Sequence, residues 1–220
     1  MKNVMNQLLT GCLMSATLVT LGACTGQEKL IHLTHQGDSL TVARIETNAK
    51  YLLLPIEEKE AEAQVLLGDV PMDVRLAVGK IDYTVPFPLS GKSGDSIVIR
   101  GLAANALAWE NLQVADTFDI TNREIFRPVY HHTPAYGWMN DANGLVFKDG
   151  EYHLYFQYNP YGSVWGNMHW GHSVSRDLVH WQHLPVAIER DTMGHIFSGS
   201  CVVDARNDAG TGTNNIIAFY

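Results

Sequence analysis

The dipeptide Asp149-Gly150 constrains this chain more than any other pair of residues. It stands between Gly144-Leu145-Val146-Phe147-Lys148 and Glu151-Tyr152-His153-Leu154-Tyr155-Phe156, two runs that read as strands. An Asp-Gly link accepts the positive φ angles of a two-residue turn, so it closes a tight β-hairpin. Just before the hairpin, at the start of its first strand, lies Trp138-Met139-Asn140-Asp141-Ala142-Asn143-Gly144. Asn140 and Asn143 can bond sugar hydroxyls or brace the Asp141 carboxylate, and Trp138 offers a flat apolar face. The same Asn, Asp and Gly residues also suit a turn without chemistry.

The preceding region, residues 28–120, reads as a small β-sandwich. Tyr51-Leu52-Leu53-Leu54-Pro55-Ile56 and Gln64-Val65-Leu66-Leu67 are short apolar runs. Val74-Arg75-Leu76-Ala77-Val78 and Ser96-Ile97-Val98-Ile99-Arg100 alternate with period two. Turn signals at Gly68-Asp69, Pro86-Phe87-Pro88 and Gly91-Lys92-Ser93-Gly94-Asp95 separate them. The charge run Glu57–Glu62 reads as a solvated loop or a single helical turn. Nothing before residue 120 looks catalytic, and an accessory or spacer module is the expectation.

The N-terminus has a different character. Lys2 precedes an apolar stretch from Leu8 to Leu21, followed by Leu21-Gly22-Ala23-Cys24. This resembles a bacterial lipoprotein signal, in which the cysteine becomes the lipidated first residue. An ordinary secretory signal with an incidental cysteine is the alternative. The expected division is therefore signal 1–23, accessory module 24–120 and a further β-domain from 121 to 220. Cys24 would anchor the protein in a bacterial cell envelope, on the periplasmic or the outer face. Removing residues 1–23 takes away one lysine and no acid, so the mature chain is more negative than the −8 of the whole. That balance repels phosphates and argues against nucleic acid. Only Cys201 then stays in the fold, which leaves no disulfide framework and no cysteine-based zinc site.

From Arg127 onward the composition shifts. Eight of the ten histidines and four of the five tryptophans fall within residues 131–195. Clustered Trp, Tyr, His, Asn and Gln with few lysines suits carbohydrate recognition, since rings stack on sugars and amides bond hydroxyls. Tyr152, Tyr155 and Phe147 read as core aromatics, whereas the glycine-flanked Trp138 and Trp165 read as pocket residues. His169/His172 and His180/His183 have a metal-pair spacing. Their Gly and Trp neighbours argue for strands and turns, and no acid or cysteine completes a tetrahedral set. No metal or cofactor is expected. Phe197-Ser198-Gly199-Ser200 lacks the Gly-x-Ser-x-Gly of a nucleophile elbow. Glycoside hydrolysis suits Asp141 better, but it takes two carboxyl groups. Asp177, Glu189, Asp191, Asp204 and Asp208 all sit in polar, turn-like surroundings, and none stands out as the second.

Residues 127–204 resemble the start of the catalytic domain of glycoside hydrolase family 32, which includes invertases, inulinases and levanases. The matching strings are His131-His132-Thr133-Pro134, Gly137–Gly144, Tyr155-Phe156-Gln157-Tyr158-Asn159-Pro160, Trp165–His172, Asp177–Trp181 and Phe197-Ser198-Gly199-Ser200. The resemblance implies a five-bladed β-propeller, so the expected fold is all-β, a sandwich-like module followed by about two blades. It implies that Asp141 attacks the anomeric carbon of a β-fructofuranosyl unit in fructan or sucrose. It also implies that Asn140, Gln157, Trp165, Phe197 and Ser198 line the fructose subsite, and Trp138 and Met139, beside them in sequence, are expected to bind substrate as well. Ala142 stands where the family usually has proline, a change that removes no functional group. The family's Arg-Asp-Pro and Glu-Cys motifs, which carry its other two acids, do not occur in the sequence. Five blades of four strands need roughly 200 residues, and Ile125 to Tyr220 supplies 96. The expectation is a partial catalytic domain with a nucleophile and no general acid. A lipoprotein that holds fructan without cleaving it is the competing reading.

Overall fold

A computed structural model describes residues 30–120 and 128–220. The signal-like segment 1–23, Cys24 and the junction at 121–127 lie outside the described residues. The regular secondary structure is almost all β, and the one helix among the described residues, α1 (Ala108–Asn111), is a single turn.

Two antiparallel sheets make the N-terminal sandwich. Strands β1 (Ile31–Gln36), β2 (Leu40–Ile45), β4 (Ala63–Leu67), β5 (Val70–Val74) and β7 (Asp95–Arg100) form one, in the order β1-β2-β7-β4-β5. Strands β3 (Tyr51–Ile56), β6 (Tyr83–Pro88) and β8 (Gln113–Ala115) form the other, in the order β6-β3-β8. Alternation does what the sequence promises. Ala43 and Ile45 of β2, Val65 of β4 and Ile97 and Ile99 of β7 point inward onto Leu52, Leu54, Val85 and Phe87. Burial of such side chains is worth about 1.5–3 kcal/mol each, which is what holds the two sheets face to face.

Two expectations need correction here. The alternating run at 74–78 is not one strand. Val74 ends β5, then Leu76 bridges Ile56 and the Ala77 amide bonds the Pro55 carbonyl at 3.0 Å. The run is the crossover from one sheet to the other, burying Val74, Leu76 and Ala77 and leaving Val78 exposed. Nor is the acidic run wholly solvated. Glu57 is buried, and one carboxylate oxygen accepts the amides of Val78, Gly79 and Lys80 at 2.8–3.1 Å. Those donors hold its carboxyl below the usual carboxylate range.

The second region is a four-stranded antiparallel meander. It comprises β9 (Trp138–Lys148), β10 (Glu151–Asn159), β11 (His169–Ser175) and β12 (Gln182–Ile188), each beside the next. A hairpin of β13 (Ser200–Asp204) and β14 (Asn215–Phe219) follows. Asp149 and Gly150 have φ of 52° and 84°, and Lys148 pairs with Glu151, so the β9–β10 turn is the tight one expected. Strand β10 is covered on both faces. Leu154, Phe156 and Tyr158 form one apolar cluster, while Tyr155 joins Trp170 and Ile196 in another. Tyr155 is thus a core aromatic as expected. Phe147 is not; it is exposed and lies against Tyr152 with ring centroids 4.7 Å apart.

Candidate active site

Strand β9 is irregular where its chemistry lies. Met139 pairs with Tyr158 and Ala142 with Phe156, so Asn140 and Asp141 together oppose the single residue Gln157. A second mismatch sets Gly144 and Leu145 against Leu154. Such β-bulges bend a strand and re-aim its side chains. Asn140 and Asp141 are exposed, whereas Asn143 and Gly144 are buried. Gly144 has φ +56°, and a Cβ there would come within about 3 Å of Trp170, Tyr155 and the Cys201 sulfur. Only glycine lets the strand turn inward at that point.

The donor to Asp141 comes from a distant segment. Ser198 Oγ donates to Asp141 Oδ2 at 2.8 Å. Four hydrogen bonds from three strands or their ends hold that segment. Gln157 Nε2 donates to the Ile196 carbonyl at 2.9 Å, and Trp170 Nε1 to the Phe197 carbonyl at 2.8 Å. The Ile196 amide bonds the Met168 carbonyl at 3.0 Å, and the Gly144 amide bonds the Gly199 carbonyl at 3.2 Å. Gly199 has no room for a side chain, since a Cβ would sit 1.9 Å from the Phe219 carbonyl oxygen.

A row of rings leads away from Ser198 through its neighbour Phe197. Trp165 is 53% exposed and Phe197 59% exposed. His195 stands between them, with ring centroids 5.0 Å from Trp165 and 6.1 Å from Phe197. Its Nδ1 accepts the Met168 amide at 3.1 Å, which places the remaining ring proton on Nε2. Burial and the nearby Arg190 push its pKa below the usual histidine value. Sequence reading missed His195. The available signal was its place two residues before Phe197, in a stretch already picked out.

The expected site residues do not all gather at one point. Ser198 touches Asp141, Phe197 is the chain neighbour of Ser198, and Trp165 connects to Phe197 through His195, with Asn140 next to Asp141 along the strand. Gln157 is buried at 3% exposure, and its amide nitrogen bonds the loop backbone. Trp138 and Met139 line a separate cavity of ≈ 850 Å³ between the sandwich and the start of β9, with Tyr83, Asp82 and Phe118 across from them. Met139 also packs beneath the Leu154–Phe156–Tyr158 cluster. Asn143, 6% exposed, has no hydrogen-bond partner for either amide atom among the described residues.

The paired histidines part company. His169 is buried on one face of β11 and bonds the Asn167 carbonyl through Nδ1. His172 faces the other way, stacks on Tyr155 with centroids 4.2 Å apart and bonds His153 at 3.1 Å. Burial pushes the pKa of each down to about 4.

The glycosyl hydrolases family 32 N-terminal domain matches residues 131–220. Residues 131–220 are thus similar to the N-terminal domain of glycosyl hydrolase family 32. Residues 37–130 match a domain of unknown function, DUF4980. A levanase of Bacillus subtilis (strain 168) is 57% identical over 100 residues, 44% of this chain and 15% of the levanase. An extracellular exo-inulinase of Aspergillus awamori is 43% identical over 112 residues, 47% of this chain and 21% of the inulinase. The chain therefore spans about a fifth or less of the length of these relatives. Among solved structures, the β-fructofuranosidase of Schwanniomyces occidentalis complexed with fructosyl-erythritol is 44% identical. It aligns over 43% of this chain and 20% of its own length, with a TM-score of 0.41.

Proposed function

We propose that the family 32 protein carrying this chain hydrolyses β-fructofuranosyl linkages of fructans or sucrose with retention of configuration, Asp141 being the nucleophile. One observation carries the proposal: an exposed carboxylate, turned out by a bulge, is held by the Ser198 hydroxyl beside a row of exposed rings. In the first step a carboxylate oxygen of Asp141 attacks the anomeric carbon, and the bond to the leaving-group oxygen breaks as a general acid protonates it. In the second, water attacks that carbon, the same group takes the water's proton, and the fructosyl–aspartate bond breaks. The Ser198 hydroxyl keeps the attacking group aimed, while Trp165 and Phe197 give the sugar apolar faces to stack on. Asn140 is assigned to sugar hydroxyls. Gln157 serves by holding the loop that carries Phe197 and Ser198.

The general acid is proposed to lie outside these 220 residues, since neither further acidic motif occurs in them. In the same reading, residues 121–220 begin a five-bladed propeller, residues 24–120 form an accessory module, and lipid on Cys24 holds the protein in the cell envelope. The test is Asp141→Asn in the full-length protein, assayed for fructose release from sucrose, inulin and levan. Complete loss with folding retained supports the nucleophile. Release at the wild-type rate sinks it, and fructan binding without any release by the wild type favours a non-catalytic binding lipoprotein.

A further inference from the structure

We infer that the N-terminal sandwich is a buttress that sets the position of Trp165, with Asn167 and Ser163 as positioning residues; the inference rests on the reading of the Asp141 corner as the sugar-binding site. Trp165 lies in the loop between β10 and β11, and that loop is fastened to the sandwich at three points. Tyr161 inserts into the sandwich core, with its ring centroid 5.4 Å from that of Phe87. The Ser163 hydroxyl donates to the Glu58 carboxylate. Asn167 makes the third attachment, and it is the most specific. Its Oδ1 accepts the Asp73 amide and its Nδ2 donates to the Asp73 carbonyl, both at 2.8 Å.

Strand β5, which holds Asp73, is the edge of the five-stranded sheet. The N–H and C=O of one strand residue point to the same side, so an edge residue presents both groups unpaired. The Asn167 side chain supplies the acceptor and donor that another strand would have supplied. It does so from a left-handed backbone conformation, φ +44°. Arg190 Nη1 completes the joint, donating to Asn167 Oδ1 at 2.9 Å and to Asp73 Oδ2 at 3.4 Å.

Within the loop, Asn159 Nδ2 donates to the Val164 carbonyl at 2.9 Å, which fixes the residue just before Trp165. The tryptophan is thus an exposed ring on a backbone pinned on both sides, facing His195. The pins belong to residues 58, 73 and 87, all in the sandwich. Its function is therefore not confined to spacing, because it decides where a substrate sugar meets the Trp165 ring.

The test uses the full-length protein with Asn167→Ala, Ser163→Ala, Trp165→Ala and the Asn167→Ala/Trp165→Ala double variant. Hydrogen exchange at the amides of 162–166 is expected to rise about tenfold or more in Asn167→Ala, from the loss of the side-chain hydrogen bonds to Asp73, Asn159 and Arg190. The β9–β10 hairpin is expected to exchange at its wild-type rate. In fructan hydrolysis, KM should rise in Asn167→Ala with kcat within about twofold, and that rise should vanish in the Trp165→Ala background, the mark of a residue acting through another. Unchanged exchange and KM in Asn167→Ala overturn the buttress, as does a KM effect that persists without Trp165. Should Asn167→Ala fail to fold, Ser163→Ala carries the test through faster exchange at 162–165. The exchange arm needs no catalysis, so an active Asp141→Asn would sink the nucleophile reading and leave the buttress to be judged by itself.

Discussion

Replacing Gln157 by leucine isolates what holds the Phe197–Ser198 segment in place. The Gln157 amide donates to the Ile196 carbonyl at 2.9 Å, and both residues are 3% exposed. Leucine has a similar volume but no donor, so packing survives and a buried carbonyl loses its partner. An acceptor stranded in this way costs about 1–3 kcal/mol. The loss falls on the segment rather than on the sheet, because β10 keeps its ladders to β9 and β11 on either side. Two amides report the docking directly. Ile196 bonds the Met168 carbonyl and Gly144 bonds the Gly199 carbonyl, and both bonds break when the segment lifts. Their hydrogen exchange should therefore accelerate by a factor of about 5 to 150, the same free energy expressed as a ratio. Amides of the β10–β11 ladder should exchange as in the parent. If Ile196 and Gly144 kept their parent rates, the Gln157 bond would not be what docks the segment. If the whole sheet exchanged faster, the cost would be global, and the assignment of Gln157 to the loop would be wrong.

Three further outcomes are expected. Asn143→Leu should raise stability by about 1 kcal/mol in urea unfolding, because it replaces a buried amide without partners by an apolar group of similar shape; a loss of stability would show that the amide is satisfied. Gly171→Ala should destabilise by about 1–3 kcal/mol or more, since its Cβ would lie 2.2 Å from the buried Phe156 ring; an unchanged urea midpoint would refute this. Stability should also fall as pH drops from about 6.5 to about 4. The folded pKa of His169 lies below its unfolded value, so the neutral form is favoured above 6.5 and protonation destabilises below it. The loss is at most about 3 kcal/mol, and His169→Gln should flatten that part of the profile.

The readable parts of this chain were those governed by neighbours in sequence. The Asp149-Gly150 turn depends on two residues, and the strands of the sandwich on period-two alternation within five or six. The Asp141–Ser198 pairing spans 57 residues, and the family motifs pointed to both members without showing that they touch. What stayed hidden was set by pairing across sheets. No local pattern distinguishes a bulged β9 from a regular strand, because the extra residue is visible only against Gln157 on the partner. The 74–78 run changes sheets behind an alternation that holds only as far as Leu76, with Ala77 buried next to it and Val78 exposed. Glu57 looked like any acid in a charged loop until the turn at 78–80 brought three amides to it. The Asn167–Asp73 joint links residues 94 apart, and neither residue is unusual in its own surroundings.

The bulge at Asn140-Asp141 also decides what kinds of sequence change this strand can survive. Side chains along a regular strand alternate, so which face a residue takes depends on whether its distance from a fixed point is odd or even. The bulge adds one residue and resets that count between Ala142 and Met139. A substitution at 140 or 141 changes one group and leaves the count alone. Deleting either residue would restore a regular ladder opposite Gln157, leave Met139 opposite Tyr158 and Ala142 opposite Phe156 on their present faces, and remove the bulge that re-aims Asn140 and Asp141. A loss of one residue here would therefore spare the packing of the flanking strand and cost only the aim of the carboxylate, so chemistry and fold are separable at this point of β9.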